Sequence, residues 1–478
     1  MTTKVKPMRN SNARIPRLLS LSVLALLAGC SMAPIYERPP APVAAQWPAS
    51  SADNTAATTA AADMAWQDFV GDARLRELVT LALANNRDLR VALAAIEQAR
   101  AQYQIRRADQ LPTINAAVAG NRQPSSDGES ISSAYTAGLA MASWELDLFG
   151  RVASLKDAAL AQFLATQEAR NAVQTSLIAS VVSTWLSLQT NNELLALTQR
   201  TLATRQDSLR LNRMRFEQGV TSALDLRQAE SLTAAAQATL AQQRRLRALD
   251  VNALTQLVGQ PLPEALLAAP AIPAAQSLHD VPVGMPSDLL ERRPDIRQAE
   301  QQLIAANANI GAARAAFFPR IALTASAGTA SGALSGLFQS GAWGWTLAPQ
   351  AVLPIFDAGR NQAALESAQA GRDMALAQYE KAIQGAFREV ADALAGQATL
   401  GEQVRAQQAQ ADAEADRFRL ADLRYRNGVA SYLDVLDAQR ALFATQQALA
   451  QTQLAQQQNR VALYKALGGG WSAQAPQL

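Results

Sequence analysis

The sequence predicts a mainly α fold with a small β part, built from two tandem copies of a long helical hairpin. Three observations carry that expectation. First, Arg424–Ala438 (RYRNGVASYLDVLDA) repeats Arg215–Ala229 (RFEQGVTSALDLRQA) at an offset of 209, with seven of fifteen positions identical and no gap. Second, Arg151 to Glu217 contains neither Pro nor Gly. Its apolar residues fall at three- and four-residue steps, as in Leu177, Val181, Trp185 and Leu188, which is helical spacing. Third, each copy holds a pair of segments with period-two alternation. These are Ile114-Ala116-Val118 with Tyr135-Ala137-Leu139-Met141, and Ile321-Leu323-Ala325-Ala327 with Trp343-Trp345-Leu347. Each pair reads as a β-hairpin with one apolar face.

Residues 1–29 read as a signal peptide, with Lys4, Lys6, Arg9, Arg14 and Arg17 ahead of the apolar run Leu18–Ala28. The run ends Leu27-Ala28-Gly29-Cys30, which resembles a bacterial lipobox. Cys30 is the only cysteine in the chain, and it is the expected lipidation site, palmitate included. Ser31 rather than Asp follows it, which in such lipoproteins directs export to the outer membrane. Removing the five cations of the leader turns the formal +3 into a net negative balance, which argues against nucleic acid as a partner.

The single His279 leaves no material for a His-based metal site or triad, and there is no P-loop and no GxGxxG. No catalytic, cofactor or metal site is expected, and no enzyme activity. Beyond Cys30 there is no run of about 18 uncharged apolar residues to make a membrane-crossing helix.

Residues 30–65, rich in Pro, Ala, Ser and Thr, read as an extended arm from the lipid anchor. The first repeat covers 66–258. It holds helices over Arg74–Leu83 and Asp88–Ala108, a β-hairpin over 112–148, and a long helical hairpin with its tip near 219 that returns over Ala223–Val258. A linker follows over 259–285, broken by Pro261, Pro263, Pro270, Pro273 and Pro282. The second repeat covers 286–467. A helix restarts at Pro286–Glu291 and breaks at Arg293-Pro294, because the residue before Pro avoids the α region. Next come a β-hairpin over 319–355, a long helix from Gly359 to Asn427 with its tip near 428, and a return over Ser431–Leu467. Residues 468–478 form a tail. The copies also echo each other at Asp88-Leu89-Arg90 and Asp295-Ile296-Arg297, and at Gly150-Arg151 and Gly359-Arg360.

The aromatics Trp144, Phe149, Phe317, Phe318, Trp343, Trp345 and Phe356 fall at strand ends, like the girdles of an outer-membrane barrel. Four strands cannot seal themselves, because an open edge in hydrocarbon leaves N–H and C=O groups unpaired at several kcal/mol each. Known barrels need about 8 strands or more, so two or more chains must pool strands. Dimer, trimer and tetramer all remain open on these grounds.

At the tips, Gly219 and Gly428 permit a chain reversal, and Ser222 with Asp225 and Ser431 with Asp434 form capping-box patterns. Capping alone could account for both aspartates. It does not account for Asp437, one turn beyond Asp434 and beside Leu433. The first copy has Gln228 and Ser231 where the second has Asp437 and Arg440.

With LLERRPDIRQAE (Leu289–Glu300) and the AAFFPRI that follows at Ala315–Ile321, these features together resemble the TolC family of outer-membrane efflux ducts. More narrowly they are similar to the OprM/NodT-type lipoproteins that serve resistance-nodulation-division (RND) pumps. The resemblance implies a homotrimer in which four strands per chain make a twelve-stranded transmembrane β-barrel above a periplasmic α-barrel. It implies outer-membrane lipid around the barrel, and a periplasmic adaptor (membrane fusion protein) and inner-membrane RND-type pump as partners. By the same resemblance, Asp434 and Asp437 form a ring at the periplasmic gate, with Leu433 as an apolar constriction and Arg440 as a partner charge. Tyr425 bonds Asp225 to lock the gate. Arg215 and Gly219 with Arg424 and Gly428 present the adaptor-facing tips, though both arginines could simply serve a helix end, where the macrodipole favours cations. Alternatives are an exit duct for metal-ion efflux or type I protein secretion, or a structural lipoprotein spanning the periplasm without transport.

Overall fold

The structure is a computed structural model that describes residues 32–44, 46–47, 64–124, 131–268, 278–281 and 289–471. Cys30 and the signal peptide lie outside the described residues, as do much of the linker and the end of the tail.

Short α1 (Trp66–Phe69) leads into α2 (Ala73–Asn85) and α3 (Arg87–Ala108). Strands β1 (Ile114–Pro124) and β2 (Ile131–Leu146) follow, then the long α4 (Arg151–Glu217) and its return α5 (Ala223–Val258). Among its described residues the linker holds one helical turn, α6 (Glu264–Ala268), despite its prolines. The second copy opens with α7 (Leu289–Arg292) and α8 (Pro294–Ala315), divided where Arg293 precedes Pro294. Strands β3 (Arg320–Ser331) and β4 (Trp343–Val352) lead to α9 (Arg360–Arg426) and α10 (Tyr432–Ala466). Helices α4 and α9 have the same length, 67 residues, or about 100 Å each at 1.5 Å per residue.

The two hairpins merge into one antiparallel sheet of order β1-β2-β3-β4. Its register explains the alternation. Ile114, Met141, Ala325 and Leu347 stand opposite one another across the four strands, and so do Ala116, Leu139, Ala327 and Trp345. One face is therefore apolar from edge to edge. The other carries small and polar residues, such as the row Asn115, Ala140, Ser326 and Thr346. That is the apolar-out, polar-in pattern of a water-filled barrel wall. Strands β2 and β3 meet closely at Gly138 and Gly328, where a Cβ on either would strike the backbone of the other strand. A bulge between Met141 and Trp144 adds one residue to β2, with Ser143 at φ 46, and bulges of this kind sharpen local twist.

Two compact units divide the chain, and each draws on both repeats. The first comprises Met1–Pro40, Ile96–Ala165 and Ala299–Tyr379; the second comprises Ala41–Ala95, Thr166–Gln298 and Glu380–Leu478. The first contains the sheet. At the strand bases Phe149 stacks on Phe318 at 4.8 Å. There Glu145 accepts two bonds from Arg151, at 2.8 and 2.7 Å, and pairs with Arg320 at 2.6 Å.

The second unit has its core around Phe69, Leu75, Leu78, Trp185, Leu254 and Ile296, all fully buried. Phe69 stacks on Tyr464 at 4.1 Å. The linker crosses here, since Leu278 bridges Val70 and is buried, while His279 is exposed. Arg293 of the LLERRPDI segment is buried and binds in three directions. It reaches Asp295 at 2.9 and 2.5 Å, Glu389 at 2.8 Å, and the Ala466 carbonyl at the end of α10 at 3.0 Å. Arg297 pairs with Glu168 of α4 at 2.5 Å and lies over the Trp471 ring, whose Nε1 donates to the Arg292 carbonyl at 2.9 Å. The segment thus ties the α7–α8 break to α4, α9, the end of α10 and the chain beyond it.

Candidate functional site: the paired hairpin tips

Both tips lie in the second unit and are closed by the same local chemistry. In the first, Gly219 takes φ 70 and donates to the Phe216 carbonyl at 2.9 Å, while Val220 donates to Arg215 at 2.8 Å. In the second, Gly428 takes φ 73 and donates to Tyr425 at 3.0 Å, while Val429 donates to Arg424 at 2.9 Å. This bond pair is the Schellman closure, in which a left-handed glycine satisfies the last helix carbonyls. Capping boxes then start α5 on Ser222 with Asp225 and α10 on Ser431 with Asp434.

Asp225 is the more heavily bonded of the two aspartates. It accepts from Ser222 Oγ at 2.7 Å, Thr221 Oγ1 at 2.9 Å and the Ser222 amide at 3.3 Å. The Ser222 hydroxyl first, and then Thr221 against a small opposing cost of burial, hold its carboxyl below the usual range. A lowered native value adds stability that is present above the unfolded carboxylate value of about 3.9 and is lost as pH falls through the native one. Asp225→Asn is expected to cost about 1 kcal/mol at neutral pH, the worth of a cap. Thermal midpoints of the two proteins should converge below about pH 4.

The tips are joined by Tyr425 and Tyr432. Tyr432, Val435 and Leu436 of α10 bury against Ala229 of α5, with Leu209, Leu232, Phe418, Ala421 and Tyr425 around them. The Tyr425 ring lies 5.2 Å from Tyr432 and 5.4 Å from the Arg215 guanidinium. Arg215 Nη1 donates to the Tyr425 hydroxyl. The bond expected between Tyr425 and Asp225 is absent here. The Asp225 carboxylate is taken up by its own cap, and the tyrosine hydroxyl turns to Arg215 instead. The duplicated partner cannot form, because Phe216 stands where Tyr425 does and has no hydroxyl. Arg424 is left exposed.

On α10, Asp434 is engaged with Ser431, and Asp437 pairs with Arg440 one turn on. Leu433 keeps 48% of its surface exposed beside them, and Leu224 at the first tip keeps 67%. Nearby is Arg205, a residue that no motif in the sequence marks. It is 5% exposed, donates to the Leu232 carbonyl at 2.9 Å and lies 5.3 Å over the Phe443 ring. Burial first, and then the charge of Arg440, lower its affinity for the proton. Arg440 therefore faces a buried cation on one side and Asp437 on the other, which favours its pairing outward. A local signal for this was missing, since Arg205 and Phe443 belong to different copies.

Among the described residues no group of three or more His, Cys, Asp or Glu could hold a metal ion, and no helix is long and apolar enough to cross a membrane.

The family model described as "Outer membrane efflux protein" matches twice, at residues 78–260 and 285–469. The chain is 48% identical over 469 residues to the antibiotic efflux pump outer membrane protein ArpC of Pseudomonas putida, covering 96% of this chain and 97% of that one. It matches the toluene efflux pump outer membrane protein TtgC, also of Pseudomonas putida, to the same extent, 48% over 469 residues with 96% and 97% covered. The crystal structure of the open state of the Neisseria gonorrhoeae MtrE outer membrane channel superposes with a TM-score of 0.85. That match has 41% identity and covers 92% of this chain and 99% of the other.

Proposed function

The chain belongs to the outer membrane efflux protein family, and from that membership we propose that three copies form the exit duct of a tripartite pump. It is an outer-membrane protein with the fold of the family's channels and acts in efflux. The observation that carries the finer reading is the four-stranded sheet with one apolar face and both edges, β1 and β4, unpaired among the described residues. Such a sheet is stable in hydrocarbon only when other copies close its edges. Three copies supply twelve strands, within the range of known barrels.

In this reading the duct transports and does not catalyse, and Cys30 carries the lipid that anchors the arm. The cargo is small organic toxicants of the kind that the relatives' names give, antibiotics and toluene. A periplasmic adaptor meets the tips at Arg215, Gly219, Arg424 and Gly428, and an RND-type pump loads the tunnel. At the mouth, three Asp434 and three Asp437 side chains ring the axis, with Leu433 narrowing it and Arg440 tempering the charge. Arg215 holds Tyr425 and so keeps the two tips together.

The purified protein should run in detergent as a particle of three chains. With its pump and adaptor, it should restore tolerance to toluene or antibiotics in cells lacking their own exit duct. A monomeric particle with full helix content, or no gain in tolerance when all three proteins are present, would count against this function.

A further inference from the structure

The apolar face of the sheet is not uniform. Strand β3 contributes only small side chains at its middle, Ala325 and Ala327, whereas its neighbours are bulky: Leu139 and Met141 on β2, Trp345 and Leu347 on β4. A groove of about 390 Å³, lined mainly by these six residues with Ile114 of β1 also contributing, runs along β3. Strands from the same chain flank β3 on both sides, so the groove is complete within one copy.

The described part of the arm leads toward the foot of that strand. It lies antiparallel along α8. Tyr36 and Arg38 bond Glu300, at 3.1 Å for the tyrosine and 2.7 and 3.0 Å for the arginine. The Pro34 carbonyl accepts from Asn307 at 2.7 Å, and the Met32 carbonyl accepts from Arg314 at 3.4 Å. At Gly311 the helix has no side chain, and a Cβ there would stand 2.7 Å from the Ala33 nitrogen. The lengths agree. Five residues of extended chain from Ala33 to Arg38 cover about 16 Å, and the eleven-residue step from Glu300 to Gly311 covers about 16 Å of helix. The strap is therefore straight and fixed in register. Helix α8 ends at Ala315 and β3 begins at Arg320, so the strap carries the chain toward the base of β3. Cys30 stands three residues before Ala33 in the sequence, a reach of at most about 11 Å.

We propose that an acyl chain on Cys30 lies in the groove over β3, as a built-in lipid that fixes the anchor against its own barrel wall. This rests on the lipidation of Cys30 proposed above. An acyl chain spans one leaflet, about half of the roughly 30 Å hydrocarbon core. From Arg320 to Ala327 the strand advances about 23 Å, less when tilted by about 40° to the membrane normal. A chain starting near the strand base thus reaches Ala325, about 13 Å up the membrane normal, and ends just short of Ala327 at about 18 Å, in the stretch where the small side chains leave room. The strap and groove give this chain a defined seat that freely diffusing phospholipid lacks.

Cells fed a diazirine-bearing fatty acid would supply protein for detergent purification and irradiation, followed by peptide mapping by mass spectrometry. The expected result is an acylated N-terminal peptide cross-linked to the groove-lining strands Ile131–Leu146, Arg320–Ser331 or Trp343–Val352. In the variant Ala325→Leu/Ala327→Leu, checked for unchanged assembly, the yield should fall at least about fivefold. An acylated Cys30 with cross-links spread evenly over all four strands, or unchanged in the variant, would overturn the proposal while leaving lipidation intact. Cross-links carried by free phospholipid instead of the Cys30 peptide would assign the groove to bulk lipid and overturn it too. An unacylated N-terminal peptide would remove both the anchor and its seat.

Discussion

Arg293→Met is expected to lower stability by about 2–4 kcal/mol, the largest single effect in the second unit. The substitution removes two charge-assisted partners and one helix-terminal carbonyl bond, and bonds to charged groups contribute about 1.5–3 kcal/mol each. Breaking a buried ion pair can cost more, about 3–5 kcal/mol, when the surviving charge is trapped. Here Asp295 and Glu389 keep 42% and 44% of their side-chain surface exposed, so water takes up part of the loss. Burial alone would lower the Arg293 affinity for its proton, and the bonds to Asp295 and Glu389 outweigh that and raise it. Arg293→Lys should recover only part of the stability, because a point charge cannot reach both carboxylates and the carbonyl as a planar guanidinium does. Thermal unfolding followed by helix signal measures both. Equal midpoints for wild type and Arg293→Met would show that the LLERRPDI segment is not a structural tie.

The double substitution Asp434→Ala/Asp437→Ala is expected to weaken block by a trivalent cation on the periplasmic side by about a hundredfold or more. Two unit charges 4 Å apart interact at about 1 kcal/mol in water and about 4 kcal/mol at a protein surface. In the proposed trimer six carboxylates would converge on one axis and bind a multivalent ion strongly, and about 1.4 kcal/mol is tenfold in affinity. The ion pair with Arg440 offsets part of the Asp437 charge. Arg440→Gln frees Asp437 and should strengthen block, whereas the aspartate variants weaken it. Arg215→Gln removes the bond to Tyr425 and should raise open current without changing block. Block unaltered in the double variant would leave these aspartates as a helix cap and a surface ion pair.

The legible parts of the molecule are those whose causes are local. The tip glycines, the Ser-Asp capping boxes and the Pro-free run Arg151–Glu217 each dictate backbone geometry within a few residues. Helix α4 accordingly falls on the span that its composition predicts. The alternation of each hairpin was equally readable, because one face is apolar. The joining of β2 to β3 was not readable, since the strands belong to different copies and no short-range signal specifies their register. The same holds for Arg293, two of whose three partners lie 96 and 173 residues away. It holds also for the tip contact, where Tyr425 selects Arg215, 210 residues distant, over Asp225. Resemblance supplied a tyrosine and an aspartate but could not weigh the three bonds that already occupy that carboxylate.

Whether copies of this chain pool their strands into a conducting outer-membrane duct can be read from the current through a planar bilayer containing the purified protein. Discrete channel openings are expected from the three-chain particle, with block by a trivalent cation from the periplasmic side. A three-chain particle that inserts stably yet passes no current under any applied voltage, with Arg215→Gln equally silent, would contradict it.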